Sequence, residues 1–583
     1  MGAWHGQDRN VQTKLKRHKR PIHARSSNVK RKTTTIKMPS ITFSIQDLEK
    51  LIGKKLPKEK DELLSYCKAE IESISDDQIT ISLADTNLPY LWSVEGIARL
   101  LKGILSIETG LPAFRVEKSN YKIIVDKSIT KIRPFIAGFV AKGKPIGEYL
   151  LLQLIQLQEK FCESYGRKRS KVSIGIYPSE KIQFPVHYKA VQPEAISFIP
   201  LDFTEKLNLR QILKKHPKGK QYGWIIEKFN RYPILIDEKN QVLSFPPIIN
   251  SQDTGRVSVE DNALLVEITG TDEKAVSLAC NIFSQALFDR GFKIYEIEVV
   301  YPEHRIRFPI TENETIKIDY DYINKLLGLN LSKEEIHHLL KAMRFGVKDD
   351  KAIIPFYRQD IMHQCDLAED IAIAYSYSKI KTADMTSYSV GRPLEIVPFV
   401  DKIRELAIGA GYQEILSHLL TNKELLYEKT NTPDLGTVEI EEYMTKTYSV
   451  VRTWLTPILL EVLSKNKHRD YPQRIFEEGI VTRRIKDKIE DRRSIALATS
   501  HAEANYTEIR QVVDFIMRNL GVNYKIVETS HPAFIPGRVA SIMVKEKQIG
   551  FLGEIHPSVL EKFELNMPVA AAEVDLTKLF EVI

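Results

Sequence analysis

Four acidic residues lie close together between residues 360 and 370 and could together hold a metal ion. Asp366, Glu369 and Asp370 are spaced i, i+3 and i+4, so a helix places their carboxylates on one side. Asp360 comes from the end of the preceding strand and could meet them. Converging carboxylates repel one another unless a hard cation lies among them, and Mg²⁺ prefers oxygen ligands. The same spacing equally fits a helix start, with Asp366 as N-cap and Glu369 three residues on. Both interpretations stay open.

Basic segments flanked by tyrosines are candidates for contact with nucleic-acid phosphates. They are Arg167–Lys171 after Tyr165, Lys214–Lys220 before Tyr222, and the run Lys465–Arg469 beside Tyr471. Phosphate contacts of this kind give salt-dependent affinity without sequence preference. Charge runs are also commonly solvated faces with no partner, and that alternative stays open for each segment.

Local signals predict the elements that must position these residues. Ser44 caps a helix with Asp47 three residues on, and Gly53 ends it. Ser332 and Glu335 form a capping box before an apolar stripe of Ile336, Leu339, Leu340 and Met343, closed by Gly346. Residues 110–300 alternate β-rich runs with helices, one of which follows Asp272 and stops at Gly291.

Composition bounds the class of protein. A chain of 583 residues is too long for a single hydrophobic core, and this length predicts three to five domains. No apolar stretch is long enough for a membrane helix. The four cysteines lack any C-x-x-C spacing, which argues against zinc and disulfides and favours a reducing, cytosolic compartment. No P-loop, G-x-G-x-x-G, H-E-x-x-H or nucleophile elbow appears in a convincing context, so the sequence nominates no ATP site.

The positive charge is concentrated at the N-terminus. Residues 1–37 hold eleven Lys and Arg against one acid, Asp8, while the rest carries a net charge of about −2 out of a total of +8. Such a segment cannot bury enough surface to fold alone. We predict a disordered extension at 1–37. The alternatives are an RNA-binding arm, a transit-like segment, or a non-native start with Met38 as the real initiator.

Several ordered motifs resemble one family, the archaeal-type phenylalanyl-tRNA synthetase (phenylalanine–tRNA ligase) beta subunits. The acidic stretch Tyr357–Tyr375 is similar to the metal-bearing motif of this family. Further matches are Leu91–Arg99, Ser244–Asn250, Tyr448–Trp454, Asn466–Phe476, His531–Arg538 and Gly553–Pro557. They occur in family order from about Met38 to the end.

The resemblance implies a fold and a division of labour. The fold class is α+β and multidomain, with an α/β editing region, a small helix–strand metal-bearing module and a class II synthetase-like antiparallel-sheet domain that has lost its active site. The implied domains are an N-terminal α/β domain at 38–92, the editing and tRNA-binding region at 93–297, the metal-bearing module at 298–378 and the synthetase-like domain at 392–583. An alpha subunit would bind ATP and phenylalanine in an (αβ)₂ heterotetramer that charges the phenylalanine tRNA, with no membrane partner.

The resemblance also assigns site residues. The family's Mg²⁺ ligands fall on Asp360, Asp366, Glu369 and Asp370. Its editing residues, which hydrolyse tyrosine wrongly attached to the tRNA, fall on Leu235 as a pocket wall and on Ser244, Glu267 and Thr269 as polar contacts with the substrate. Leu235 and Ser244 lie in a β-hairpin predicted at Tyr232–Phe245. A pocket shaped for phenylalanine cannot strongly exclude an analogue that adds a hydroxyl, so a second sieve is needed.

The editing prediction has one departure and one plain alternative. Glu267 stands where aspartate is expected, and the longer side chain shifts the carboxylate meant for the tyrosine hydroxyl. In the alternative, Ser244 is an ordinary hairpin residue, while Glu267 and Thr269 form the solvated face of a strand. Two other functions also remain: a free-standing editing hydrolase, and a nucleic-acid-binding protein that uses the basic N-terminus and the helix at Ile336–Met343.

Overall fold

The computed structural model describes residues 40–57, 60–385 and 387–583, so the extension predicted at 1–37 lies outside the described residues. The described chain forms two compact units that divide between Ala383 and Asp384. None of its described helices is both long and apolar enough to cross a lipid bilayer. All four cysteines are free thiols, and three of them are buried.

The first unit contains eleven α-helices and eighteen strands among the described residues. The helices are α1 (Ile45–Ile52), α2 (Lys60–Ser65), α3 (Val94–Ile104), α4 (Gly147–Glu163), α5 (Leu209–Lys215), α6 (Pro217–Tyr222), α7 (Gln252–Gly255), α8 (Glu273–Asp289), α9 (Tyr320–Leu327), α10 (Lys333–Ala342) and α11 (Gln364–Tyr375). The strands are β1 (Ser40–Ser44), β2 (Ala69–Ser75), β3 (Gln78–Leu83), β4 (Val116–Val125), β5 (Phe135–Lys142), β6 (Val172–Pro178), β7 (Val186–Val191), β8 (Ser197–Phe198), β9 (Leu207–Asn208), β10 (Tyr232–Ile236), β11 (Val242–Phe245), β12 (Ile249–Asn250), β13 (Ala263–Gly270), β14 (Lys293–Val300), β15 (Arg305–Phe308), β16 (Thr315–Lys317), β17 (Gly346–Lys348) and β18 (Lys351–Ile353).

A ten-stranded sheet dominates this unit, in the order β12-β11-β10-β7-β4-β14-β5-β13-β6, with β15 added beside β14. Most pairs are antiparallel, while β4 runs parallel to β14 and to β7. The two ends of the sheet come together, because the Asn250 amide on β12 donates to the carbonyl of Ile176 on β6 at 3.3 Å. The sheet therefore curls, and residues far apart in the chain meet inside the curl.

The predicted local signals are confirmed at the start of this unit. Ser44 accepts the backbone N–H of Asp47 at the start of α1, and Gly53 ends that helix in the left-handed conformation at φ +82°. Only a residue without a Cβ adopts this φ without strain. Asp272 likewise caps α8, which packs against β5 and β13.

The module around the acidic stretch combines a three-stranded sheet (β16-β18-β17) with α9, α10 and α11. The capping box of Ser332 and Glu335 is confirmed at the start of α10. The predicted end is wrong: α10 stops at Ala342, and Gly346 instead begins β17.

The second unit has five described helices and nine described strands. They are α12 (Ile396–Gly409), α13 (Thr456–Lys465), α14 (Tyr506–Asn519), α15 (Pro557–Lys562) and α16 (Leu576–Val582), with β19 (Gln413–Glu414), β20 (Leu420–Thr421), β21 (Val450–Val451), β22 (Gln473–Ile485), β23 (Lys488–Ser500), β24 (Lys525–Glu528), β25 (Phe534–Val544), β26 (Lys547–Ile555) and β27 (Val569–Asp575). Seven of the strands form one sheet, in the order β19-β22-β23-β27-β26-β25-β24. Every pair in that sheet is antiparallel except β19 with β22.

The chain is therefore a mixed α/β, multidomain protein with several sheets. The finer subdivision of the first unit at 38–92, 93–297 and 298–378, and the synthetase-like character of 392–583, stay predictions.

Candidate functional site

A cavity of about 580 Å³ opens where the curled sheet brings β6, β11 and β13 together. Ile174, Phe245 and Ile248 give it apolar walls. Glu267 and Ser244, both predicted editing residues, lie in its lining together with Tyr177. A largely apolar pocket with a few polar groups is the usual form of a small-ligand site.

Tyr177 connects the two predicted residues. Its hydroxyl lies 2.6 Å from the carboxylate of Glu267 and 2.8 Å from the hydroxyl of Ser244. Glu267 is only 3% exposed, Ser244 2% and Tyr177 0%. Burial raises the pKa of Glu267 to about 7, while the hydrogen bond from Tyr177 and the charge of Arg133 act to lower it. The carboxylate is thus balanced between its two protonation states near neutral pH.

Thr269 is held by a buried arginine at the edge of this network. Arg133 donates from Nε to the Thr269 hydroxyl at 3.0 Å and from Nη2 to the Thr269 carbonyl at 2.6 Å. The same guanidinium donates to the hydroxyl of Ser173, which contacts the Thr269 hydroxyl at 3.0 Å. Thr269 has no exposed surface and does not line the cavity, so its predicted contact with substrate is not seen in this arrangement.

Leu235 packs in the core beside the cavity. It pairs directly with Ser244 across the β10–β11 hairpin, which confirms the predicted hairpin, and it is 1% exposed. Its predicted role as a pocket wall would be indirect, through the placement of Ser244. The alternative that Glu267 and Thr269 form a solvated strand face is wrong, because all eight residues of β13 are buried.

The two basic segments of the first unit meet at the mouth of the cavity. Arg169 lies over the Tyr222 ring at 4.3 Å and donates to the carbonyl of Ile248 at 3.0 Å. Lys218 lies 5.9 Å from the same ring. Arg167, Lys168 and Arg169 all have positive φ, between 49° and 68°. Non-glycine residues in this region carry strain of ~1–3 kcal/mol each, which is more common at functional sites.

The third basic segment, in the second unit, is engaged with acids. Lys465 pairs with Glu461 at 2.8 Å and Lys467 with Glu564 at 3.4 Å. This pairing favours the solvated-face alternative there.

The acidic stretch is organised around an arginine. Arg358 donates from Nε to Asp360 at 3.1 Å and from Nη1 to Asp370 at 2.5 Å, and a second nitrogen also contacts Asp360. The Arg358 side chain is 2% exposed and those of Asp360 and Asp370 are 8%. Its guanidinium also lies over the rings of Tyr90 and Phe345, at 5.1 and 5.0 Å.

The other two acids point to different partners. His363, not Asp366, is the N-cap of α11, and Asp366 is the third helical residue, whose carboxylate accepts the backbone N–H groups of Met362 and His363 at 2.7 Å. Glu369 pairs with Lys68 at 2.6 Å. The predicted capping box of Asp366 with Glu369 is therefore wrong: the capping box of this helix is formed by His363 as N-cap and Asp366 as the third helical residue.

This arrangement does not fit a magnesium site. Asp360 and Asp370 are bound by a guanidinium, and Asp366 and Glu369 are held by separate partners. Within 40–57, 60–385 and 387–583, no group of three or more Asp, Glu, His or Cys side chains is placed to hold a metal ion. The metal site stays a prediction that these contacts do not support.

We expect magnesium to leave the stability of this module unchanged. Because each of the four carboxylates already has a donor, removing divalent ions with EDTA and then adding MgCl₂ should not move the thermal unfolding midpoint of the full chain. A saturable rise with Mg²⁺ that Asp366→Asn abolishes would contradict this expectation.

Comparison with known proteins now gives the class and the family. A family model described as the tRNA synthetase B5 domain matches residues 316–377, and one described as the phenylalanyl tRNA synthetase beta chain CLM domain matches residues 381–576. Both place the chain among the aminoacyl-tRNA synthetases.

Individual relatives narrow the class. The phenylalanine–tRNA ligase beta subunit of Pyrococcus furiosus is 41% identical over 93% of this chain and 100% of its own length. That of Archaeoglobus fulgidus is 39% identical over 93% and 99%. A crystal structure of an N-terminal fragment of the Pyrococcus horikoshii beta subunit matches with a TM-score of 0.57 and 40% identity, covering 58% of this chain and all of the fragment. The chain belongs to the phenylalanine–tRNA ligase beta-subunit family, which confirms the resemblance.

Sequence reasoning missed two residues of the site, Tyr177 and Arg133. Both are far from Glu267 in the chain, so no spacing pattern connects them. One signal was available for burial: Ala263–Gly270 is a nearly continuous apolar run, typical of a strand covered on both faces. An acid inside such a run needs a buried partner.

Proposed function

We propose that this chain acts in an (αβ)₂ phenylalanine–tRNA ligase, in which the alpha subunit uses ATP to attach phenylalanine to its tRNA. In this proposal the chain supplies a scaffold, a docking surface for tRNA and a hydrolytic editing site for tyrosine wrongly attached to that tRNA. The holoenzyme would work in the cytosol, where the four free thiols stay reduced.

One observation carries the editing part: a buried acid on the lining of an apolar-walled cavity. Tyrosine differs from phenylalanine by one hydroxyl, which a carboxylate such as Glu267 can accept. Discrimination between two such substrates is large when the site hydrogen-bonds the hydroxyl, since a substrate without it leaves a buried polar group unpaired. Ser244 contacts the same Tyr177 hydroxyl as this carboxylate and lines the same cavity, where it would orient the substrate or a water.

The basic mouth of the cavity supports tRNA docking. Arg169 and Lys218 both lie in the cavity lining, where the phosphates next to an aminoacylated 3′ end would approach. Phosphate contacts give affinity without sequence information. The neutral body of the chain makes such a local cluster necessary, because no global positive field attracts RNA.

An apolar surface around the β20–β21 ribbon supports docking of a partner subunit. Leu416 is 92% exposed and Met444 87%, while Leu419, Leu420 and Tyr448 are also exposed. Leu420 pairs with Val451, so part of this surface is built on one short ribbon. Exposed apolar patches mark protein interfaces more often than free surface.

The proposal is tested by charging phenylalanine tRNA with this chain alone, with a matched alpha subunit alone and with both together. We expect charging only in the mixture. Charging by this chain alone would overturn the proposed division between subunits.

A free-standing editing hydrolase remains a second candidate, because the whole cavity is built from residues of one unit. Deacylation of tyrosyl-tRNA by the chain without any alpha subunit, together with no gain on adding it, would favour this alternative. Gel filtration of the co-expressed chains provides the matching control for assembly.

A further inference from the structure

Glu267, the proposed acceptor for the phenol of the substrate, is already hydrogen-bonded to the phenol of Tyr177. The Tyr177 hydroxyl is 2.6 Å from Glu267 and 2.8 Å from Ser244. The phenol is the donor in both contacts, and because it carries one proton, Tyr177 donates to either the carboxylate or the serine hydroxyl at a given moment. Glu267 and Ser244 are thus linked through the Tyr177 hydroxyl before any ligand arrives.

The backbone is shaped to admit this internal contact. Glu267 on β13 stands directly opposite Gly175 on β6, and Tyr177 is two residues further along β6. A Cβ at Gly175 would overlap both the Tyr177 hydroxyl and the Glu267 carboxylate. The glycine therefore leaves the space in which the two side chains meet.

The contact is also buried and faces the cavity. Tyr177, Glu267, Ser244 and Gly175 all line the same 580 Å³ space. A ligand that enters far enough to reach Glu267 must meet the Tyr177 hydroxyl as well.

We propose that Tyr177 competes internally with the substrate's phenol for Glu267 and thereby sets the tyrosine selectivity of the cavity. This inference rests on the proposed editing function. To hydrogen-bond Glu267, the phenol of a bound tyrosine must displace the Tyr177 hydroxyl. One hydrogen bond to the carboxylate is exchanged for an equivalent one, so tyrosine binds only slightly more tightly than phenylalanine. Removing the Tyr177 hydroxyl leaves Glu267 without that donor. Of the two ligands, only tyrosine carries a hydroxyl that can replace the lost donor.

The test compares two non-hydrolysable probes, 3′-amino-3′-deoxyadenosine joined by an amide to tyrosine or to phenylalanine. Their dissociation constants are measured by calorimetry on the full chain co-purified with its alpha subunit. We expect Tyr177→Phe to raise the preference for the tyrosyl probe roughly tenfold, as for one hydrogen bond to a charged group. Tyr177→Leu, which also lacks the hydroxyl, is the second variant and should shift the preference in the same direction.

Two further variants isolate the cause. Tyr301→Phe removes a phenol that bonds only to the backbone of Ile136 in the same sheet, and should leave the preference unchanged. Adding Glu267→Gln to Tyr177→Phe should remove the gain, because the amide is a weaker acceptor than a carboxylate.

The outcomes separate the two proposals. If Glu267→Gln alone lowers the preference but neither Tyr177 variant changes it, the editing pocket stands and the competition is overturned. If neither probe binds the wild-type protein or any variant, the cavity is not an aminoacyl site, and both proposals fall.

Discussion

Replacing Arg358 with methionine is expected to lower the free energy of unfolding of the first unit by about 3–5 kcal/mol. The guanidinium is the shared partner of Asp360 and Asp370, and all three side chains are at least nine-tenths buried. Without it, two carboxylates lie buried next to each other with no counter-charge. Urea denaturation followed by circular dichroism measures the loss.

Arg307 provides the matched control. It also pairs with two acids, Glu296 and Glu298, but its side chain is 54% exposed. Exposed pairs of this kind contribute roughly 0–1 kcal/mol, so Arg307→Met should cost far less. Equal losses for the two variants would contradict the buried-pair explanation.

A triple variant keeps the test informative if Arg358→Met does not fold. Changing Asp360 and Asp370 to asparagine in the same chain removes the uncompensated charges, and the stability should largely return. Such a recovery would place the cost in the unpaired carboxylates rather than in the lost packing of the arginine over Tyr90 and Phe345.

Helix starts that depend only on residues close together in the sequence could be predicted. Ser44 with Asp47, and Ser332 with Glu335, are complete signals within four residues, and both caps are confirmed. The start of α11 was misplaced because Asp366 and Glu369 also match a capping box, while the side chain that caps this helix belongs to His363. A histidine accepts a backbone N–H less often than an aspartate does, so propensity favoured the wrong residue.

The candidate site could be predicted only in part, since its geometry depends on how the sheet curls. Ser244 and Glu267 were nominated through the family motif, and both line the cavity. Tyr177 and Arg133 come from other segments and are joined to them only by tertiary structure. The four acids of the 360–370 stretch illustrate the opposite error: helical spacing places side chains on one face but does not decide which partner each one meets.

The stability of the first unit is expected to fall between pH 4.5 and 7 because of Glu267. Burial raises the pKa of this carboxyl from 4.5 to about 7 in the folded state. The folded protein therefore holds the proton more tightly than the unfolded chain, and the stabilisation is complete below about pH 4.5. It is lost as the pH rises through 7, by up to about 3 kcal/mol.

Glu267→Gln should remove this dependence, because glutamine resembles the protonated acid at every pH. The variant is expected to match the wild type near pH 5 and to exceed it in unfolding free energy at pH 8, as measured by urea denaturation at each pH. Glu303→Gln, at an exposed position between β14 and β15, controls for the loss of one carboxylate. The same ionisation acts on recognition: above pH 7 the charged Glu267 is the stronger acceptor for a phenol, so once Tyr177→Phe has removed the internal donor, the preference for the tyrosyl probe should rise with pH. A preference that stays flat from pH 5 to 8 in Tyr177→Phe would separate Glu267 from substrate recognition, even if its burial governs stability.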